Sequence, residues 1–197
     1  MTDFNVSETK SNLMKALAGE SMARNRYTFS AELARSQKLH VIEAVFTYTA
    51  NQEKEHAEIF YNHLKQLSGK EVNVNADYPI DLTADTVQLL RYAQQHEYDE
   101  HEPIYKSFAA KAEEEGFMPI ANSFKLISEI EKTHGDRFGM LADMLENGTL
   151  FVSDAACDWV CLNCGYVLNA NGAPEKCPVC QHDKGFFIRL ELAPYTK

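Results

Sequence analysis

Seven side chains in the first two-thirds of the chain have the types and spacing to hold metal ions: Glu20, Glu53, His56, Glu97, Glu100, Glu131 and His134. Glu53-x-x-His56 and Glu131-x-x-His134 each place a carboxylate and an imidazole one helical turn apart on a single face. The spacing also repeats. Glu20 precedes Glu53 by 33 residues and Glu97 precedes Glu131 by 34, while Glu20 to His56 is 36 and Glu97 to His134 is 37. One helix pair is therefore used twice, each copy supplying a Glu and then a Glu-x-x-His. Carboxylate oxygens with two imidazoles form a hard, open-sided donor set suited to iron or manganese. In such a site Glu53 and Glu131 can bridge two ions, Glu20 and Glu97 can cap them, and His56 and His134 can each bind one. Glu100 is then surplus. Five carboxylates converging in a protein interior would be strongly destabilising without compensation, so cations are close to obligatory.

A second donor set lies in the last 41 residues, which hold all five cysteines: Cys157, Cys161-x-x-Cys164 and Cys177-x-x-Cys180. A segment this short does not bury enough apolar surface to fold unaided and normally needs a metal or disulfides. Two Cys-x-x-Cys hooks surround one tetrahedral ion, zinc or iron. Two disulfides are the alternative, disfavoured because the start, MTDFNVSETK, has no secretory character. Cys157 is left over and is read as a bystander.

The elements that must position these groups are helical. Apolar residues recur at helical spacing from Ser7 to Glu146, with breaks near Lys38, across Ser68–Thr83 and at Glu115–Pro119. This predicts helices over 7–36, 39–67, 84–115 and 119–147. Thr83 and Asp85 suit a helix start, Gly116 a stop and Pro119 a first turn, with Gly69 and Gly148 following the second and fourth helices. Each helix has a carboxylate in the middle of its apolar stripe, as in Leu13–Glu20–Tyr27 and Phe124–Glu131–Phe138. Such residues often border a core and reach water; four in register point inward instead. Short joints make two hairpins, and the long connection between them can cross the bundle, as in ferritin-like topology. The expected fold is mainly α: a ferritin-like four-helix bundle over 1–148, a linker over 149–156 and a small metal-bound β/loop domain over 157–197.

Composition bounds the function. The 197 residues are 45% hydrophobic and 24% charged, with a net charge of −10. Residues 157–197 carry four basic and four acidic side chains, so the whole excess lies in the bundle segment. This argues against nucleic acid or an anionic membrane as partner. No apolar run approaches the ~18 residues of a membrane span, and a cytoplasmic protein is expected.

Together, Glu20, Glu53-x-x-His56, Glu97-x-x-Glu100 and Glu131-x-x-His134, then Cys161-x-x-Cys164-Gly165-Tyr166 and Cys177-Pro178-x-Cys180, closely resemble the rubrerythrin family over nearly the whole chain. The resemblance implies a non-haem di-iron site, oxo/carboxylate-bridged, and a rubredoxin-like iron in four cysteines, which favours iron over zinc there. It implies a peroxidase that reduces hydrogen peroxide to water, in oxidative stress defence. Electrons would come through the four-cysteine iron from an external rubredoxin or NAD(P)H-dependent reductase. Glu20, Glu53, Glu97, Glu100, Glu131 and His134 match the family's iron ligands, and His56 its switching histidine, which exchanges with Glu100 at one iron. Tyr27 and Tyr105 match tyrosines near that site, and His182 a histidine beside the thiolate-bound iron. A head-to-tail homodimer is implied as well. Relatives carry Tyr-Pro on the third helix, whereas here Pro103 precedes Tyr105 by two, so any kink is displaced. His40, His63, His96 and His101 are read as ordinary surface or core residues. The alternative activity is ferroxidase or iron handling, against which Glu100 and the cysteine-rich tail both speak.

Overall fold

The structure, a computed structural model, describes residues 2–194. Helix α1 (Glu8–Ser36) and α2 (His40–His63) form one hairpin. Helix α3 (Thr86–Asp99), a π-helical turn (Glu100–Ile104), α4 (Tyr105–Glu115) and α5 (Met118–Glu146) form the other. The small domain is an antiparallel sheet of β1 (Val152–Cys161), β2 (Val167–Gly172) and β3 (Phe187–Arg189), in the order β2-β1-β3. Among the described residues no helix is long and apolar enough to cross a membrane.

Local chemistry accounts for the helix ends. Ser7 Oγ accepts from the Lys10 amide at 3.1 Å, and Asp85 Oδ1 from the Val87 amide at 2.9 Å, so each satisfies an otherwise unpaired N–H. The Glu115 carboxylate, from the end of α4, accepts from the Glu8 and Thr9 amides at 2.9 and 2.8 Å, placing negative charge at the positive end of α1. Gly116 closes α4 with φ +89°, a left-handed conformation glycine adopts without strain.

The third helix, expected unbroken over 84–115, is interrupted at Glu100–Ile104. Pro103 explains it. Proline lacks an N–H and drives the preceding residue out of the helical region, and Glu102 is extended at φ −103°, ψ 144°. The chain absorbs the extra length as a π turn, in which the Tyr105 amide donates to the Glu100 carbonyl. The expected linker is also shorter than 149–156, because β1 already begins at Val152.

The bundle core is split in two. Tyr27, Phe46, Leu90, Phe138 and Leu141 pack at one level, and Leu13, Phe60, Tyr105, Phe124 and Ile127 at another. Between these apolar plugs lies the layer holding Glu20, Glu53, Glu97 and Glu131, none more than 1% exposed.

The small domain docks on the α1–α2 corner of its own bundle. Val41 packs with Val160, Ile188 and Ala193, and His40 stacks on Phe186 at 3.9 Å between ring centres. Lys38, in the left-handed region at φ +59°, presents its carbonyl to Gly185 so closely that a Cβ there would stand 1.8 Å from the oxygen. Gly185→Ala must therefore separate the two surfaces. We expect faster amide hydrogen exchange over 38–41 and earlier proteolytic release of the small domain, with the helix content of the bundle retained; unchanged protection would show that the corner yields without undocking.

Candidate metal centres

The four helices bring the expected donors into one buried layer. His56 Nδ1, on α2, lies 3.1 Å from Glu53, 3.0 Å from Glu131 and 3.8 Å from Glu20. His134 Nδ1, on α5, lies 2.9 Å from Glu131, 3.0 Å from Glu53 and 3.4 Å from Glu97. Glu53 and Glu131 thus face both imidazoles, while Glu20 faces only His56 and Glu97 only His134. The two rings are near parallel, with centres 5.7 Å apart. Two overlapping four-donor sets result, Glu20/Glu53/His56/Glu131 and Glu53/Glu97/Glu131/His134, each with its donor atoms within 4.8 Å of one another.

These separations fit metal coordination. Bonds of about 2.0–2.2 Å at right angles place neighbouring donors roughly 3 Å apart, as found. Six buried atoms in the layer have no hydrogen-bond partner among the described residues: Glu20 Oε2, Glu53 Oε1, Glu97 Oε2, both oxygens of Glu131 and His134 Nδ1. His134 Nε2 meets Gln52 Oε1 at 3.1 Å, so Nε2 carries the proton and Nδ1 turns its lone pair toward three carboxylates. That arrangement is repulsive unless a proton or a metal cation stands between.

Titration behaviour follows from the crowding. Burial and the neighbouring Glu131 push Glu20 well above the ordinary carboxyl range, and burial and Glu53 raise Glu97 to about 8. Burial acts on Glu53 in the same direction, but contacts from His134 and His56 overcome it and hold that group at about 2. For His134 burial opposes the charge, yet Glu131, Glu53 and Glu97 raise it to about 12. His56 is raised likewise, by Glu131, Glu20 and Glu53 against its burial.

Both candidate tyrosines touch the layer. The Tyr27 hydroxyl donates to Glu97 Oε1, and Tyr105 donates to Glu20 Oε1 at 2.5 Å. Burial and the adjacent glutamates raise both phenols well above their usual value, so each stays a donor. Glu100 lies outside both four-donor sets. It borders a cleft of about 760 Å³ between α1, the long connection and the π turn, whose wall includes Arg26, Tyr78 and His96. Burial, then Glu20 and Glu97, raise its carboxyl well above the ordinary range.

In the small domain Cys161, Cys164, Cys177 and Cys180 converge, with Sγ separations of 3.8 Å (Cys161–Cys180) and 3.6 Å (Cys164–Cys177). A disulfide needs about 2.05 Å, while a tetrahedral ion with bonds of about 2.3 Å sets sulfurs roughly 3.8 Å apart. The hooks are alike: the Gly165 amide donates to the Cys161 carbonyl at 2.8 Å and the Gln181 amide to that of Cys177 at 2.9 Å, both turning through positive φ. The His182 amide helps draw the Cys180 thiol down to about 6. The His182 ring stands edge-on to Phe186, 5.0 Å between centres, with Nδ1 3.1 Å from the Cys180 carbonyl. Cys157 lies on β1, paired with Ala170 and outside the cluster.

The rubrerythrin family profile matches residues 11–142, and the profile for the rubredoxin-like domain of rubrerythrins matches 159–188. The chain belongs to the rubrerythrin family. A rubrerythrin of Clostridium perfringens (strain 13 / Type A) is 42% identical over 188 residues, covering 95% of this chain and 96% of the relative. That of Nitratidesulfovibrio vulgaris (Hildenborough) is 38% identical over 192 residues, covering 98% and 99%. Among solved structures, nigerythrin in its fully reduced, all-ferrous state has a TM-score of 0.63 at 28% identity, over 93% of this chain and 87% of that one. In this rubrerythrin-family chain the carboxylate–histidine layer fits a di-iron centre and the four cysteines fit a rubredoxin-like iron, which makes it an iron-dependent oxidoreductase by class.

Two contributors escaped the sequence reading. Gln52 sets the His134 tautomer, and Ser128 contacts the π turn from α5; neither polar residue has a spacing that marks it.

Removing the metals tests the electrostatics. Glu97, ordinarily near 4.5 and raised to about 8, and His134, ordinarily near 6.5 and raised to about 12, hold protons in the fold where the unfolded chain has released them. Stability from both is present at low pH and lost as pH rises through those ranges; Glu53, depressed to about 2, loses its contribution only as pH falls from 4.5 toward 2. Chelator-treated protein should therefore melt at a lower temperature near pH 8 than near pH 5.5 by circular dichroism. Metal should reverse that order, because its ligands bind as it displaces their protons.

Proposed function

We propose that the chain is a cytoplasmic non-haem di-iron peroxidase, in which the overlapping donor sets around Glu53 and Glu131 carry the reaction. Hydrogen peroxide takes two electrons and two protons and leaves as two waters. The iron pair, when bound, supplies those electrons and the Lewis acidity that weakens the O–O bond. When the ions are bound, Glu53 and Glu131 would be shared between them, Glu20 and Glu97 would each hold one, His134 would hold one, and His56 and Glu100 would be alternative ligands of the other.

The protein's own groups place the protons. Tyr105 and Tyr27 keep their hydroxyl protons on the capping carboxylates, which fixes the carboxylate orientation and leaves two donors beside the reacting space. Glu100, its carboxyl raised by burial and by Glu20 and Glu97, sits between the cleft and the layer and is placed to exchange a proton with a molecule entering from solvent. Phe60 and Phe124 on one side, with Phe46 and Phe138 on the other, keep bulk water out.

The domain division proposed is a bundle over 1–148 and a rubredoxin-like domain over 157–197 that the first residues of β1, from Val152, lead into, the latter passing electrons singly from an external rubredoxin or NAD(P)H-dependent reductase. From the docking corner at His40 to Glu53 is 13 residues of α2, or roughly 20 Å at about 1.5 Å per residue. That span supports a head-to-tail homodimer in which each cluster is served by the other subunit. Ferroxidase action would need neither Glu100 nor the four-cysteine domain.

Anaerobic stopped-flow kinetics test the reading. Reduced protein should be reoxidised by peroxide far faster than by oxygen, and Glu100→Ala should slow that step by about tenfold or more with the four-cysteine iron's colour intact. Equal rates with both oxidants would return the chain to iron handling. Cys164→Ser should bleach the thiolate-bound iron and stop donor-driven turnover, while chemically prereduced bundle still consumes one equivalent of peroxide. Sustained turnover in that variant would exclude the small domain from electron delivery.

A further inference from the structure

His101 follows Glu100 in the π turn, and its ring lies against Ser128 of α5, with the exposed Glu102 and Glu129 carboxylates 3.6 and 4.0 Å away. Its residue is only 9% exposed, and Nδ1 lies 2.8 Å from the Ser128 carbonyl of α5. A carbonyl only accepts, so Nδ1 carries a proton and a neutral imidazole suffices. The contact is answered in reverse: Ser128 Oγ, 1% exposed as a residue, donates to the His101 carbonyl at 2.8 Å.

That carbonyl is available for a structural reason. In an unbroken α-helix it would accept from the Tyr105 amide four residues on. Here that amide goes one residue further back, to the Glu100 carbonyl, because Pro103 and the extended Glu102 have lengthened the turn. The imidazole and the hydroxyl therefore form a reciprocal clamp, two hydrogen bonds between side chain and main chain in opposite directions. It joins the turn bearing Glu100 to the turn of α5 that bears Glu131, three residues beyond Ser128.

We infer that His101 and Ser128 are positioning residues for Glu100: the clamp holds the π turn at a fixed distance from the di-iron layer, so that Glu100 alternates between cleft and metal by side-chain rotation while its main chain stays still. The inference rests on the role given to Glu100 above. Without the clamp, the lengthened turn keeps only its own weak π-type pairing, and the carboxylate samples positions from which neither ligand exchange nor proton transfer is efficient.

Two variants remove the clamp without emptying the core: Ser128→Ala deletes the hydroxyl, and His101→Phe keeps the ring and deletes the donor. His101→Asn retains a donor near the position of Nδ1. Each is compared, as the iron-loaded full chain, with Glu100→Ala and with the double variant Glu100→Ala/His101→Phe. Peroxide reoxidation of the reduced protein should slow about tenfold in the first two, recover in His101→Asn, and be no slower in the double variant than in Glu100→Ala. A second readout is independent of turnover: amide hydrogen exchange over residues 102–106 should accelerate in Ser128→Ala and His101→Phe, while that around Glu131 and His134 stays protected.

If Glu100→Ala is slow but both clamp variants react at the parental rate, the inference is overturned. Further slowing in the double variant also overturns it, since His101 would then act independently of Glu100. If Glu100→Ala itself reacts normally, the assignment of Glu100 fails instead, and exchange alone decides the clamp: unchanged protection over 102–106 overturns it too.

Discussion

Negative charge held between two apolar plugs is the constraint on which the bundle depends. Glu20, Glu53, Glu97 and Glu131 are essentially without solvent contact, above and below them lie aromatic side chains, and the imidazoles of His56 and His134 lie among them. In so dry a setting each charge interacts strongly with the next, and one left without a counter-ion is correspondingly unfavourable. The helices adopt the register that lets bridging carboxylates face both histidines at once. A slip of one helix by two turns would put Leu13 or Tyr27 at the level of Glu20, or Phe46 or Phe60 at that of Glu53, so the requirement for cations also fixes the packing.

The layer is nearly two-fold symmetric, and its departure from symmetry is informative. Tyr105 from α4 fixes Glu20 on α1, and Tyr27 from α1 fixes Glu97 on α3, so the two halves are cross-tied in the same way. Glu100 has no counterpart one turn beyond Glu20, where Ala23 stands in the tightly packed core. Among the described residues only the second hairpin has a spare carboxylate and only there does a bundle helix break, and that turn faces α1 across the cleft. A rigid set of ligands on regular helices and one movable ligand on an irregular turn are what a site needs if it is to change charge without losing its metals.

Much of this was legible from spacing, because the helical repeat turns residue number into position. Intervals of 33 and 34 between paired glutamates already place them at one level of two hairpins, and the structure brings Glu20, Glu53, Glu97 and Glu131 into one buried layer. The cysteine hooks were legible for a different reason, since a two-residue spacer in a tight turn returns both thiols to one side. The π turn was only half legible: Pro103 marks a disturbance, but whether a helix kinks, ends or lengthens is decided by the partners available to its freed carbonyls, and Ser128 lies 27 residues away. The docking corner was not legible at all. It depends on Lys38 adopting a left-handed conformation that lysine rarely takes and on Gly185 having no side chain to resist it, and neither signal is audible until the two loops are seen in contact. His101 was read as an ordinary bundle residue because a histidine outside a ligand pattern usually is one.

The docking corner also bears on how electrons reach the layer. His40, stacked on Phe186 and 2.9 Å from Glu43, fixes the small domain at the start of α2, whereas the carboxylates belong to the middle of that helix. A domain held there by a main-chain contact at Lys38 and by an apolar patch around Val41 is not free to swing along its own bundle. Residues 157–197 carry four acidic and four basic side chains that cancel, so this segment meets far less repulsion from a bundle segment carrying the chain's net charge of −10 than a second bundle would. The near-neutrality of the small domain and the rigidity of its own docking are both compatible with the head-to-tail dimer proposed above.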